Sequence, residues 1–197
     1  DMVTFSENAV YNVEEGSTSA GYDTGDQATV RNCLYAMVLK SANEAANILA
    51  VEVAGSIENF VGMMNAKAAA LGCTGTNFVN PDGMPDDNHY TTAYVLYLIA
   101  KCAMQNEQFR TIVGTKEYYV ESTNMSGRRH FFNSNALLSN MRYSGYYYEY
   151  CTGIKTGSLN EAGYCIVSSA TADGYTYICV AMGSPMLDSE GNDIDYH

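Results

Sequence analysis

Residues 151–182 read CTGIKTGSLNEAGYCIVSSATADGYTYICVAM, in which CTGIKTGS, GYCIVSSA and YTYICVAM are rich in β-branched and aromatic residues and are separated by NEAG and ADG. Such segments fit a pleated, half-buried surface. The short joins, each with a glycine, suit tight antiparallel connections. An antiparallel sheet is therefore expected here. Just upstream, KEYYVES and RRHFFNS read as a further hairpin. The first strand holds Lys155, Thr156 and Gly157 in succession. A three-residue match of that kind on a strand marks nothing by itself.

Before residue 115 the period is helical. Val30, Cys33, Leu34, Met37 and Val38 follow an i, i+3, i+4, i+7, i+8 rhythm, which predicts a helix ending near Lys40. SANEAANILAVEVAG predicts a second helix with Ala45, Leu49 and Val53 on one face and Gly55 as a left-handed cap. A third runs from Ser56 to Gly72, capped the same way. NFVNPDGMPDDNHY carries strong turn chemistry in Asn80-Pro81-Asp82-Gly83. TTAYVLYLIAKCAM then predicts a fourth helix lined by Leu96, Ile99, Ala100 and Ala103, followed by a short one from Glu107 to Val113. Helices come first and strands later, with no repeat, low-complexity tract or linker. The fold class is α+β, with residues 1–197 as one unit.

The 197 residues are 47% hydrophobic and carry a net charge of -12. That surface repels phosphate backbones and anionic headgroups, so nucleic acid is excluded as a partner. No run of about 18 apolar residues occurs, and DMVTFSENAV is neither basic nor apolar, so any targeting or anchoring segment is expected outside this chain. Cys33, Cys73, Cys102, Cys151, Cys165 and Cys179 are too far apart for a C-x-x-C motif and read as mostly buried thiols, with disulfide pairing open. His89, His130 and His197 are not at ligand spacing, and neither metal nor cofactor is expected. Asp82, Asp86 and Asp87, and Asp188, Glu190 and Asp193, lack EF-hand spacing and read as solvated loops. YSGYYYEY, residues 143–150, suits either a sugar-stacking platform or a surface loop.

Ser41-Ala42-Asn43-Glu44 fits the capping box S-x-x-E. It also places a serine and an asparagine two apart at a helix start, able to shuttle a proton and hold a peptide amide. S-x-N followed about a hundred residues later by K-T-G on a strand is two thirds of the signature of penicillin-binding proteins and class A β-lactamases. Its surroundings extend the match: TVRNCLYAMVLKSANEAANILA, VAGSIENFVGMMNAKAAALGC, NFVNPDGM, HYTTAY and CTGIKTGSLNEAGYCIVSSAT. Together these stretches resemble the serine-type D-Ala-D-Ala carboxypeptidases among the low-molecular-weight penicillin-binding proteins, over nearly the whole chain.

The resemblance implies a β-lactamase/transpeptidase-like fold, an antiparallel sheet flanked by helices with a helical lobe beside it. It implies a cleft in which peptidoglycan stem peptides ending in D-Ala-D-Ala, or β-lactams, lie along the K-T-G strand. Lys155 would supply charge near the terminal carboxylate, Thr156 would hydrogen-bond it, and Gly157 would leave room for the approach. Ser158 would lend its N–H to an oxyanion hole, Ser41 would relay protons between Lys155 and the leaving amine, and Asn43 would hold the penultimate peptide group. It also implies an extracytoplasmic place in the bacterial envelope.

The family's S-x-x-K, which supplies the nucleophile, is not found, since no lysine here has serine three positions upstream. The expectation is an N-terminally incomplete catalytic domain that lacks the nucleophile helix and first strands, and is inactive as it stands. A sheet so shortened would invite edge pairing with a second copy. A non-catalytic cell-wall peptide-binding pseudoenzyme is the alternative. A class A β-lactamase is disfavoured by the absence of E-x-x-L-N. If the two motifs form one site, Lys155 and Thr156 line a groove opposite Ser41 and Asn43, with Lys155 and Ser41 within about 8 Å of each other.

Overall fold

The structure, a computed structural model, describes residues 1–11, 13, 17–141, 145–192 and 194. Tyr143 and Ser144 of the tyrosine-rich run, Asp193 and His197 lie outside the described residues. β1 (Met2–Thr4) pairs antiparallel with β2 (Gln27–Thr29), placing Val3 opposite Ala28, and α1 (Glu7–Tyr11) lies between them in sequence. β2 runs straight into α2 (Val30–Tyr35), where the Thr29 hydroxyl accepts from the Asn32 N–H at 3.1 Å.

α2 widens into a π-helical segment over Ala36–Lys40 and stops at Ser41. The helix thus ends where its period predicts, but its buried face is Cys33, Tyr35, Ala36 and Leu39, with Met37 and Val38 only half-buried. The wider i→i+5 turn rotates the last residues away from a 3.6-residue stripe.

α3 (Asn43–Ala54) is buried over every residue from Asn43 to Ala50, as a central helix must be. It ends at Gly55, whose φ of 78° is left-handed and whose N–H reaches the Val51 carbonyl at 2.7 Å. Val53 is exposed, because the last turn of α3 stands clear of the core. α4 (Ile57–Ala70) is capped by the Ser56 hydroxyl, α5 (Ala93–Ala103) by Thr92 and α6 (Glu107–Val113) by Asn106, each accepting a backbone N–H three residues on. On α5, Val95 and Ala100 are buried, whereas Leu96, Ile99 and Ala103 are half-buried.

β3 (Glu117–Val120) and β4 (Arg129–Phe132) form an antiparallel hairpin with Tyr118 opposite Phe131. β5 (Cys151–Leu159), β6 (Gly163–Ala172) and β7 (Tyr175–Ser184) form an antiparallel sheet in the order β5-β6-β7. Lys155 is opposite Val167 and Gly157 opposite Cys165. One core joins the helical lobe to the hairpin through Phe5, Tyr22, Leu39, Ile48, Val120 and Phe131. Another, around Ala100, Val113 and Ile154, seats α5 and α6 on the sheet. At Gly153 a Cβ would come within 2.9 Å of Val113 Cγ2, so glycine allows β5 to start hard against α6.

All six cysteines are free thiols. Cys33, Cys73 and Cys151 are buried, Cys102 and Cys165 half-buried and Cys179 exposed, so burial holds for half of the set. Among the described residues no helix is long and apolar enough to cross a membrane.

Candidate active site

Ser41 sits at φ 60°, ψ 37°, a left-handed conformation that is uncommon for a residue with a Cβ. It turns the chain between the π-helical segment and α3, and its side chain leaves the helix for the cleft. The helix start is Ala42, with no side-chain cap. S-x-x-E is therefore not a capping box here. Ser41 Oγ instead accepts from Lys155 Nζ at 3.0 Å, across 114 residues of sequence. Glu44 is 1% exposed. Its Oε1 accepts from Ser19 Oγ at 2.8 Å and the Ala20 N–H at 2.7 Å, tying the 18–22 segment to α3. The Asn43 N–H adds a bond to the Thr18 carbonyl at 3.0 Å.

Lys155 also donates to the Thr156 carbonyl at 2.7 Å. No carboxylate pairs with it among the described residues, and burial pushes its ammonium down to about 8. Ser41, Asn43, Ala46, Phe109 and Lys155 share a cavity of about 250 Å³. Asn43 reaches it from the first turn of α3. Lys155 enters from β5, on the facing wall.

The rest of the strand motif is placed differently. The Thr156 hydroxyl lies 2.6 Å from Ser134 Oγ and opens on a second pocket of about 230 Å³, with Tyr146 and Tyr164. Gly157 and Ser158 are exposed. A Cβ on Gly157 would meet nothing within 4 Å, so no protein neighbour demands glycine there. A larger groove of about 930 Å³, near Lys101, Arg110 and Tyr147, contains none of the motif residues.

The reading of Asp82 is corrected. Asp82 is not a solvated loop residue: it lines the 250 Å³ cavity with Ser41, Asn43 and Lys155, and its carboxyl is pushed above the usual range, chiefly by burial. The turn chemistry around it was legible, but nothing in Asn-Pro-Asp-Gly says which way the turn faces. Ser134 was likewise hidden at a strand end. Asp86 and Asp87 are exposed, and Asp188 caps its own loop through Asn192 and Glu190. Of the tyrosine-rich run, Tyr146, Tyr147, Tyr148 and Tyr150 are exposed on the surface.

Residues 1–186 match the profile of the D-alanyl-D-alanine carboxypeptidases, peptidase family S11. The chain is 36% identical to the D-alanyl-D-alanine carboxypeptidase of Streptomyces sp. strain K15, the match covering 93% of this chain and 64% of that protein. It is 32% identical to the carboxypeptidase DacF of Bacillus subtilis, covering 93% of this chain and 44% of the relative. The chain thus spans less than two thirds of either relative. The crystal structure of the Streptomyces K15 DD-transpeptidase superposes with a TM-score of 0.83 at 35% identity, over 93% of this chain and 72% of that one. Helices beside antiparallel sheets are thus the fold of a DD-transpeptidase, and the chain belongs to the D-alanyl-D-alanine carboxypeptidase family.

Proposed function

We propose that this chain is the substrate-holding part of a serine-type D-alanyl-D-alanine carboxypeptidase that removes the terminal D-Ala of peptidoglycan stem peptides through an acyl-enzyme and is inhibited by β-lactams. The observation that carries this reading is the 3.0 Å contact of Lys155 Nζ with Ser41 Oγ, with Asn43 in the same cavity. An acyl-D-Ala-D-Ala tail fits as an added strand on the edge of β5 that pairs with no strand among the described residues, where the open space at Gly157 admits its backbone. Asn43 holds the penultimate amide. The positive charge of Lys155 attracts the terminal carboxylate. The Thr156 hydroxyl, 2.6 Å from Ser134 Oγ, opens on the second pocket, so that carboxylate falls to Lys155. The backbone N–H of Ser158 serves the developing oxyanion.

Ser41 carries the proton. Its oxygen accepts from Lys155, so its own hydrogen is free for the leaving amine, and Lys155 refills it. Burial pushes Lys155 down to about 8, which eases release of that proton near neutral pH. Bond formation needs a serine activated by a base, and no S-x-x-K occurs in these 197 residues, which by themselves bind without acylation. The substrate places the working enzyme outside the bacterial cytoplasm. The outer strand β7, exposed at Tyr175 and Tyr177, is the edge on which a second copy would pair.

The test is D-Ala release from an N-acylated peptide ending in D-Ala-D-Ala by the full-length product of the gene. Wild type should turn over, and Lys155→Ala should lose roughly 10²–10⁴-fold in kcat. Failure of the wild type to release D-Ala contradicts the reading.

A further inference from the structure

An acyl-enzyme must also be hydrolysed, and the cleft holds one titratable group that the roles above leave unused. Asp82 is carried on a turn fixed at both ends. The Gly83 N–H donates to Asn80 Oδ1 at 2.8 Å, and Asn80 Nδ2 donates to the Met84 carbonyl at 2.8 Å. The segment before the turn is clamped by Asn65, whose amide bonds both the N–H and the carbonyl of Phe78 at 2.8 Å. The tip therefore presents Asp82 to the cavity from a rigid frame, as preorganised catalysis requires.

The carboxylate keeps acceptor capacity. Oδ1 accepts from the Met84 N–H at 3.1 Å, and the Asn47 side chain hydrogen-bonds the carboxylate; the His89 ring, whose own pKa burial lowers, adds to this only when protonated. Asn47 is one turn beyond Asn43 on α3 and 1% exposed, and its Oδ1 has no donor among the described residues.

Lys155 cannot easily be the base for this step. With a pKa near 8 it is mainly protonated at pH 7, and its protons point at Ser41 and at the Thr156 carbonyl. A protonated amine and a carboxylate in one cavity divide naturally into acid and base. Burial raises the carboxyl of Asp82 above the ordinary range, which makes it a stronger base than a solvated aspartate.

We propose that Asp82 is the general base for deacylation, acting on a water in the cavity it shares with Ser41 and Lys155; this rests on the acyl-transfer reading above. The water oxygen attacks the ester carbonyl of the acyl-serine as its proton passes to the Asp82 carboxylate. The tetrahedral intermediate collapses with cleavage of the bond between the carbonyl carbon and the serine oxygen. That oxygen takes a proton from Lys155 through Ser41. Transfer of the proton from Asp82 back to Lys155 through solvent restores both groups.

Asp82→Asn keeps the oxygen that accepts from Met84 and removes the basicity. It should be compared with wild type and Asp82→Glu in the full-length gene product, with acylation by a fluorescent penicillin followed by rapid mixing. Hydrolysis of the acyl-enzyme is followed by intact-mass spectrometry with a depsipeptide ending in D-Ala-D-lactate. For Asp82→Asn, acylation should stay within about threefold of wild type, while deacylation slows by about 100-fold or more and the acyl-enzyme accumulates. Asp82→Glu should recover part of the loss, since it restores a carboxylate. Deacylation at the wild-type rate in Asp82→Asn overturns the proposal and leaves the acyl-transfer reading standing. Equal slowing of both steps, or a lowered melting temperature with no partition between them, also overturns it by making the residue structural. A wild type that never acylates removes the acyl-transfer reading, and this inference with it.

Discussion

Lys155 carries its charge in a site that disfavours charge. Burial lowers its pKa from 10.5 to about 8, so between those values the unfolded chain binds a proton that the folded chain has released. Stability should therefore rise with pH across that window, by at most about 3 kcal/mol, and below pH 8 both states are protonated and the penalty is complete. Lys155→Met should abolish that slope and make the fold more stable than wild type at pH 7.5. Tyr22 and Cys33 act in the opposite sense at high pH. Both are raised by burial, the thiol to about 12, so the unfolded chain ionises first and stability falls. The informative quantity is thus the difference between wild type and variant in urea melts at pH 7.5 and 9.5. Parallel curves for the two proteins would contradict a buried cation at position 155. The sequence made Lys155 and Ser41 visible only as a pair, because each alone has an ordinary explanation. Ser41 and Glu44 have capping-box spacing, yet Glu44 is taken by Ser19 and Ala20 and Ser41 by Lys155, and neither partner is near in sequence.

At the scale of elements, β4 is tied to the N-terminal part of the chain by Arg129. Its Nη2 donates to Asp26 Oδ2 and to the Gly21 carbonyl, both at 2.8 Å, and its guanidinium lies 4.2 Å from the centre of the Tyr22 ring. Asp26 is fully buried, so removing the cation strands a carboxylate in the core. Arg129→Met should cost about 3–5 kcal/mol in chemical denaturation, and adding Asp26→Asn should recover much of that. A cost below about 1 kcal/mol would make the pair no more than a surface contact. Elements with strong local signals were legible: glycine closes α3 and α4 where their periods end, and β5, β6 and β7 follow their two turns. β1 and β2 were not, because three-residue strands carry no usable period and pair across an intervening helix. The π-helical segment was hidden too, since its extra residue per turn is imposed by packing around Tyr35, Ala36 and Leu39 rather than by propensity.

On the scale of the whole molecule, the cleft exists because two lobes of different period meet. The turn at Ser41 and the start of α3 bring Ser41 and Asn43 from the helical side, β5 brings Lys155 from the sheet, and α6 holds β5 in place through Val113 and Gly153. The Asn80–Met84 turn closes the floor with a carboxylate that the sequence left facing solvent. The motif residues were legible as a pair of segments that meet, as Ser41 and Lys155 do. Their division was not: the Lys155 side chain serves one cavity and that of Thr156 another, because alternate residues of a strand point to opposite faces. Whether Ser41 and Lys155 form one acyl-transfer site is decided by the rate at which a fluorescent penicillin labels the full-length gene product, in wild type and in Lys155→Ala. Stoichiometric labelling of the wild type is predicted, slowed by roughly 100-fold or more in Lys155→Ala with no loss of melting temperature. Labelling of Lys155→Ala at the wild-type rate would contradict it.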